Sequence, residues 1–134
     1  MSRAALISAA LLLTAASVAI SGVRLSSFGV QPKGEDFEIT WQTDLEDGVT
    51  GFELHRRTST TNNEFVLVGS RGSHGTGRLY SMLDDQIFKS SSEMIDYRLQ
   101  AVLSDGSRQV LRIESVNYTP TAIRRTWGSI KAMF

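Results

Sequence analysis

The sequence predicts an all-β protein, a two-sheet sandwich of about seven strands with a hydrophobic helix before it and a short amphipathic helix after it. Three observations carry this. From Leu25 to Val116 apolar residues recur with a period of two, as in strands with one buried face. Turn-forming clusters interrupt that alternation at short intervals, from Pro32-Lys33-Gly34 to Asp105-Gly106. The chain has 134 residues and no Cys, so its core must hold without disulfides. A domain of about 95 residues can bury roughly 60–68% of its unfolded surface, which is enough.

Residues 1–22 open the chain. Met1-Ser2-Arg3 is a positive start, Ala4 to Val23 is uncharged, and Leu11-Leu12-Leu13 is its most apolar point. Small residues follow, with Ser17-Val18-Ala19 and Ala19-Ile20-Ser21 at the spacing that export peptidases cleave. A signal peptide is therefore expected. The alternative is a retained membrane-anchoring helix, since about 20 residues just span the ~30 Å hydrocarbon layer. Either way the globule is expected outside the cytoplasm, in the periplasm or at the cell surface, secreted or membrane-tethered.

Residues 23–118 hold the strands. Leu25 to Val30 forms the first, and Phe37, Ile39 and Trp41 mark the inward positions of the second. Phe52 and Leu54 mark the third, which puts Glu53 and His55 on its solvent face. Phe65-Val66-Leu67-Val68 is a short apolar fourth strand. Leu79 to Leu83 is the fifth, with Tyr80 and Met82 on one face. Ile95, Tyr97, Leu99, Ala101 and Leu103 make the longest clean alternation. Val110 to Val116 pairs with it across Ser104-Asp105-Gly106-Ser107, a hairpin signal. Trp41 is expected between the sheets, with Tyr97 near it.

Residues 119–134 are the unusual part. Pro120 suits a first helical turn, and Ile123, Trp127, Ile130 and Phe134 then fall on one helical stripe, with Arg124, Arg125 and Lys131 off it. Such a short helix, with Gly128 inside it, needs a surface to lie on. These seven residues are the candidate docking site, for an envelope protein, a second copy or a membrane surface.

Charge is segregated along the chain. Basic and acidic residues both total 14, but all the acids lie between residues 25 and 118, against nine basic residues. Both ends are basic and acid-free. Without a basic excess, nucleic acid is not an expected partner.

Phe37-x-Ile39-x-Trp41, then Gly51-Phe52-Glu53-Leu54-His55-Arg56-Arg57, then Tyr97-Arg98-Leu99-Gln100-Ala101-Val102 with Asp105-Gly106 together resemble a fibronectin type III domain of exported bacterial proteins. The resemblance spans roughly Leu25 to Thr119. It implies an immunoglobulin-like sandwich, with a Trp on the second strand packed under the sheet and a Tyr opening the sixth. The sequence departs from the family at Pro32, its only Pro near the first strand, and at Ser90-Ser91-Ser92, where Gly or Pro is common. The family is mainly one of adhesion, spacer and recognition modules, so the fold itself argues no chemistry.

Chemistry is sparse. His55 and His74 are the two imidazoles. Glu53 and His55 form an exposed strand pair that lacks a third ligand for a metal. Arg71-Gly72-Ser73-His74-Gly75-Thr76-Gly77 is glycine-rich but lacks the Gly-Lys-Ser/Thr ending of a phosphate loop. Asp44-Leu45-Glu46-Asp47-Gly48 lacks the 1-3-5 oxygen spacing and distal Glu of a calcium loop. Asn117-Tyr118-Thr119 is a formal glycosylation acceptor. No cofactor, metal or catalytic residue is expected. The expectation is a non-enzymatic exported sandwich acting as a protein-interaction or structural module of the cell envelope. The alternatives are a pilus-like filament subunit with the N-terminal helix as core, or a non-catalytic accessory subunit of a membrane complex.

Overall fold

The computed structural model describes residues 22–87 and 94–118. Period-two alternation becomes seven strands: β1 (Gly22–Lys33), β2 (Asp36–Asp47), β3 (Val49–Arg57), β4 (Val66–Gly72), β5 (Tyr80–Asp84), β6 (Met94–Leu103) and β7 (Arg108–Asn117). They form two antiparallel sheets, one of order β1-β2-β5 and one of order β4-β3-β6-β7. The predicted all-β class and two-sheet sandwich are therefore present. Both predicted helices, in residues 1–22 and 119–134, fall almost wholly outside the described residues. Gly22 already belongs to β1 and Val23 is buried, so processing after Ala19 or Ser21 would leave that strand whole.

Turn chemistry sets the connections. Gly34 (φ +63°) lets β1 fold back on β2, and Gly106 (φ +86°) does the same between β6 and β7. Asp105 fixes the latter turn by accepting from the Ser107 backbone N–H (2.9 Å) and hydroxyl (2.6 Å). Asp47-Gly48 instead carries the chain from one sheet to the other. Between β3 and β4 a single 3-10 turn, Ser59–Thr61, ends in Asn62 and Asn63, both left-handed, a region Asn tolerates.

The core lies where the inward faces meet. Phe37, Ile39, Trp41, Tyr80 and Met82 come from the three-stranded sheet, and Phe52, Leu54, Ile95, Tyr97, Leu99 and Ala101 from the other. Trp41 and Tyr97 are both fully buried, but the ring stacked on Trp41 is Tyr80, at 5.3 Å. Tyr97 meets Phe37 edge-on at 6.3 Å. Strand spacing alone did not fix which aromatic would face the indole, because that pairing forms through the β2–β5 register, Trp41 opposite Tyr80.

One polar cluster is sealed in this core. Asp84 ends β5 with no exposed surface, receiving Arg56 Nη1 at 2.5 Å and the Tyr97 hydroxyl at 2.7 Å. Burial first, and the Asp84 charge second, push the Tyr97 hydroxyl pKa far above its ordinary value. Tyr97 therefore stays a neutral donor and ties β6 to β5 across the sandwich.

Candidate functional site: the outer face of the four-stranded sheet

Ile123, Arg124, Arg125, Trp127, Ile130, Lys131 and Phe134, the docking stripe expected from sequence, lie outside the described residues. Within them, the feature that stands out is the solvent face of β4-β3-β6-β7.

Register builds this face in rows. Leu67 on β4 pairs with His55 on β3, His55 with Arg98 on β6, and Arg98 with Ile113 on β7. The next row carries Arg57 opposite Asp96 and Asp96 opposite Ser115. On the other side Glu53 faces Gln100, and Gln100 faces Val110. Leu67, Ile113 and Val110 are 57%, 53% and 51% exposed, so three large aliphatics stand in water on one sheet face. The strand expected over Phe65-Val66-Leu67-Val68 is β4, and it is mostly exposed. Only Val68 packs against the core, because β4 is an edge strand and a register shift at Leu54/His55 turns Leu67 outward.

Phe65 is the aromatic centre of the face. The Arg57 guanidinium carbon lies 4.4 Å from its ring centroid and that of Arg98 4.1 Å away. Arg57 also donates two hydrogen bonds to Asp96 Oδ2, at 3.0 and 2.8 Å, and Ser115 donates to Asp96 Oδ1. The Ser115 bond first, then Arg57, hold the Asp96 carboxyl below its ordinary pKa. Arg108 is committed to Glu53 at 2.7 Å and lowers that pKa in turn.

Arg98 differs from these. Among the described residues it has no carboxylate partner, and its Nε is buried without a hydrogen bond. Its register partner His55 has a buried Nδ1 in the same condition. Burial first, then the Arg98 charge, depress the His55 pKa, so the imidazole is neutral at pH 7. Sequence reasoning placed Glu53 and His55 on the solvent face correctly. It missed Phe65, Arg57 and Arg98, whose convergence depends on which strands are neighbours. The outward alternation of Phe65 and Leu67 was the available signal.

A second cluster closes one end of the core. The His74 ring, from the glycine-rich β4–β5 connection, stacks on Tyr80 at 3.6 Å. The Tyr80 hydroxyl accepts the His74 backbone N–H (2.9 Å) and donates to Glu46, which also receives Thr43 Oγ1 at 2.6 Å. The loop glycines thus let His74 fold over the core rim. Among the described residues no group of three or more His, Asp or Glu could hold a metal ion. No described helix is long and apolar enough to cross a membrane.

No family model and no curated protein sequence matches the chain. Solved structures do resemble it. OgpA from Akkermansia muciniphila superposes with a TM-score of 0.59 at 12% identity, over 76% of this chain and 29% of its own. Pectate lyase Pel3 from Pectobacterium carotovorum gives 0.50 at 16% identity, over 71% and 26%. The spore cortex lytic enzyme SleM from Clostridium perfringens gives 0.50 at 13% identity, over 72% and 28%. At these identities the likeness is one of fold alone. The chain corresponds to less than a third of the length of each of these structures.

Proposed function

We propose that this chain is an exported, non-enzymatic sandwich of the fibronectin type III kind, acting as a protein-interaction or structural module of the cell envelope. The observation that carries the reading is the outer face of the four-stranded sheet. There Leu67 and Ile113, in the row of Arg98, and Val110, in the next, share a face with the Arg57–Phe65–Arg98 cluster, a mix of exposed aliphatics, arginine and aromatic that suits recognition of another macromolecule. The family reading is supported by Trp41 on β2 and Tyr97 on β6, both inside the core as the resemblance implies. The basic segment 119–134, with its apolar stripe Ile123, Trp127, Ile130 and Phe134, is a second attachment element in this reading, serving an envelope protein, a second copy or a membrane surface.

The accessory-subunit reading is favoured by one specific observation. OgpA, Pel3 and SleM are enzymes whose chains are matched over only 26–29% of their length, so this shape accompanies longer enzyme chains. Cell fractionation with intact-mass analysis tests the localisation. The expected product is extracytoplasmic, and loss of about 19–21 residues marks cleavage at the predicted site. Incubating the purified chain with pectate, spore cortex and an O-glycopeptide tests the rest: no product is expected. A cytoplasmic location, or turnover of any of these, overturns the reading.

A further inference from the structure

We propose that the row Leu67–His55–Arg98–Ile113 is a docking site for an extended acidic peptide segment whose carboxylate binds the Arg98 guanidinium while flanking aliphatic side chains cover Leu67 and Ile113. The proposal rests on the interaction-module reading above and names the partner's chemistry.

Charge complementarity decides the occupant. Of the arginines on this face, Arg57 holds Asp96 and Arg108 holds Glu53, whereas Arg98 holds no carboxylate among the described residues. Glu53 feels the Arg98 charge but gives its oxygens to Arg108. Arg98 is half-buried with its Nε enclosed, so an incoming carboxylate meets the terminal Nη pair of a guanidinium that carries no anion, a charge-assisted match of donors and acceptors. His55 does not compete for that anion. Its ring is neutral at pH 7 and its Nδ1 is enclosed beside Arg98.

A second copy binding through the same face is disfavoured. A two-fold axis across the centre of the row sets each Arg98 against the other copy's neutral His55, which supplies no anion and leaves both guanidinium charges close together and unpaired. An acidic sugar chain fits less well than a peptide. Sugar rings use open aromatic faces, and here the ring of Phe65 already has two guanidinium groups 4.1 and 4.4 Å from its centroid. The groups left exposed are branched aliphatics, spaced across successive strands about 4.8 Å apart. On an extended peptide every second side chain faces the row, so two aliphatics with an acidic residue midway, at positions i, i+2 and i+4, span about 14 Å, the distance across the three strand spacings from Leu67 to Ile113.

The test uses the full chain, isotope-labelled, titrated with two blocked peptides, Leu-Ser-Glu-Ser-Leu and Leu-Ser-Gln-Ser-Leu, which set both Leu side chains and the central Glu or Gln on one face when extended. The Glu peptide is expected to shift the amides of Leu67, His55, Arg98 and Ile113 and the Arg98 Nε–H, saturably. Binding should weaken about tenfold or more for the Gln peptide, and equally for Arg98→Gln against the Glu peptide. Arg78→Gln, in the β4–β5 connection, should bind as the parent does. Should Arg98→Gln not fold, the two peptides on the parent chain still decide. Equal binding of both peptides, shifts confined to other residues, or no shifts at all overturn the proposal. So does an oligogalacturonate that saturates the same resonances more tightly than the Glu peptide, which would make the ligand an acidic glycan. None of these results alters where the protein resides or whether it turns over substrate, so this proposal and the module reading fail separately.

Discussion

Trp41 is enclosed by Tyr80 stacked at 5.3 Å and Phe52 tilted against it at 5.9 Å, so truncation leaves a cavity walled by rings that cannot collapse into it. Trp41→Ala is expected to cost about 3–5 kcal/mol, read from urea unfolding. Asp84 carries a comparable share for a different reason. Replacing it by Ala strands the Arg56 charge and the Tyr97 hydroxyl in the core, an expected loss of about 3–5 kcal/mol. Its role was not legible in sequence, where Asp84-Asp85 resembles any polar turn; only the fold brings Arg56, 28 residues away, to meet it. His55 gives a pH signature. Its pKa is depressed in the folded state, so the unfolded chain binds the proton more readily. Its contribution is complete above the ordinary value of 6.5 and is lost as pH falls through the lower folded pKa. Urea midpoints should therefore decline from pH 7 toward 5, and His55→Gln should flatten that decline. A second decline, from Glu53 and Asp96, should begin below their ordinary values of 4.5 and 3.8 and survive the His55 substitution.

Strands with strong local signals were readable and those shaped by neighbours were not. The β6–β7 hairpin was evident because Asp105-Gly106 sits between two alternating runs, and Gly106 takes the positive φ such a turn requires. The apolar residues of β4 say nothing about its place at an edge, which is what leaves most of the strand exposed. Edges are managed by side chains from the opposite sheet. Gln109 on β7 accepts the Val23 N–H at 2.9 Å and donates to the Val23 carbonyl at 3.0 Å, standing in for a paired strand along β1. On the other seam Arg71 Nε donates to the Ser81 carbonyl at 3.1 Å, occupying an acceptor of β5. Gln109→Leu should thus expose the start of β1, with faster amide exchange at Val23 and a loss of about 1–3 kcal/mol. Gly51 marks a close approach within the four-stranded sheet. A Cβ there would lie 2.6 Å from the Arg71 carbonyl, so Gly51→Ala should loosen β4 from β3, seen as accelerated exchange confined to those strands.

At the scale of the whole molecule, the two sheets close over one core between Gly22 and Tyr118, and Tyr118 itself packs on Phe37 at 6.0 Å. Deleting residues 121–134 should therefore leave the melting temperature nearly unchanged, while releasing the protein from its partner or membrane fraction. Unfolding on deletion would instead make that segment a strap of the domain. By itself the sequence determined the all-β class, the approximate number and order of strands, and the identity of most core residues. These depend on alternation and turn chemistry, which are local and act within a few residues of chain. It also determined that charge is segregated, with acids only in the sandwich segment. Tertiary structure alone decided which aromatic faces Trp41, where Asp84 finds its arginine, and that Phe65, Arg57 and Arg98 meet on one face. Each of these pairs residues on different strands, and strand order and register arise only when both sheets bury their apolar faces together. The candidate site belongs to this second group because a β-sheet surface is assembled from residues that the chain keeps far apart.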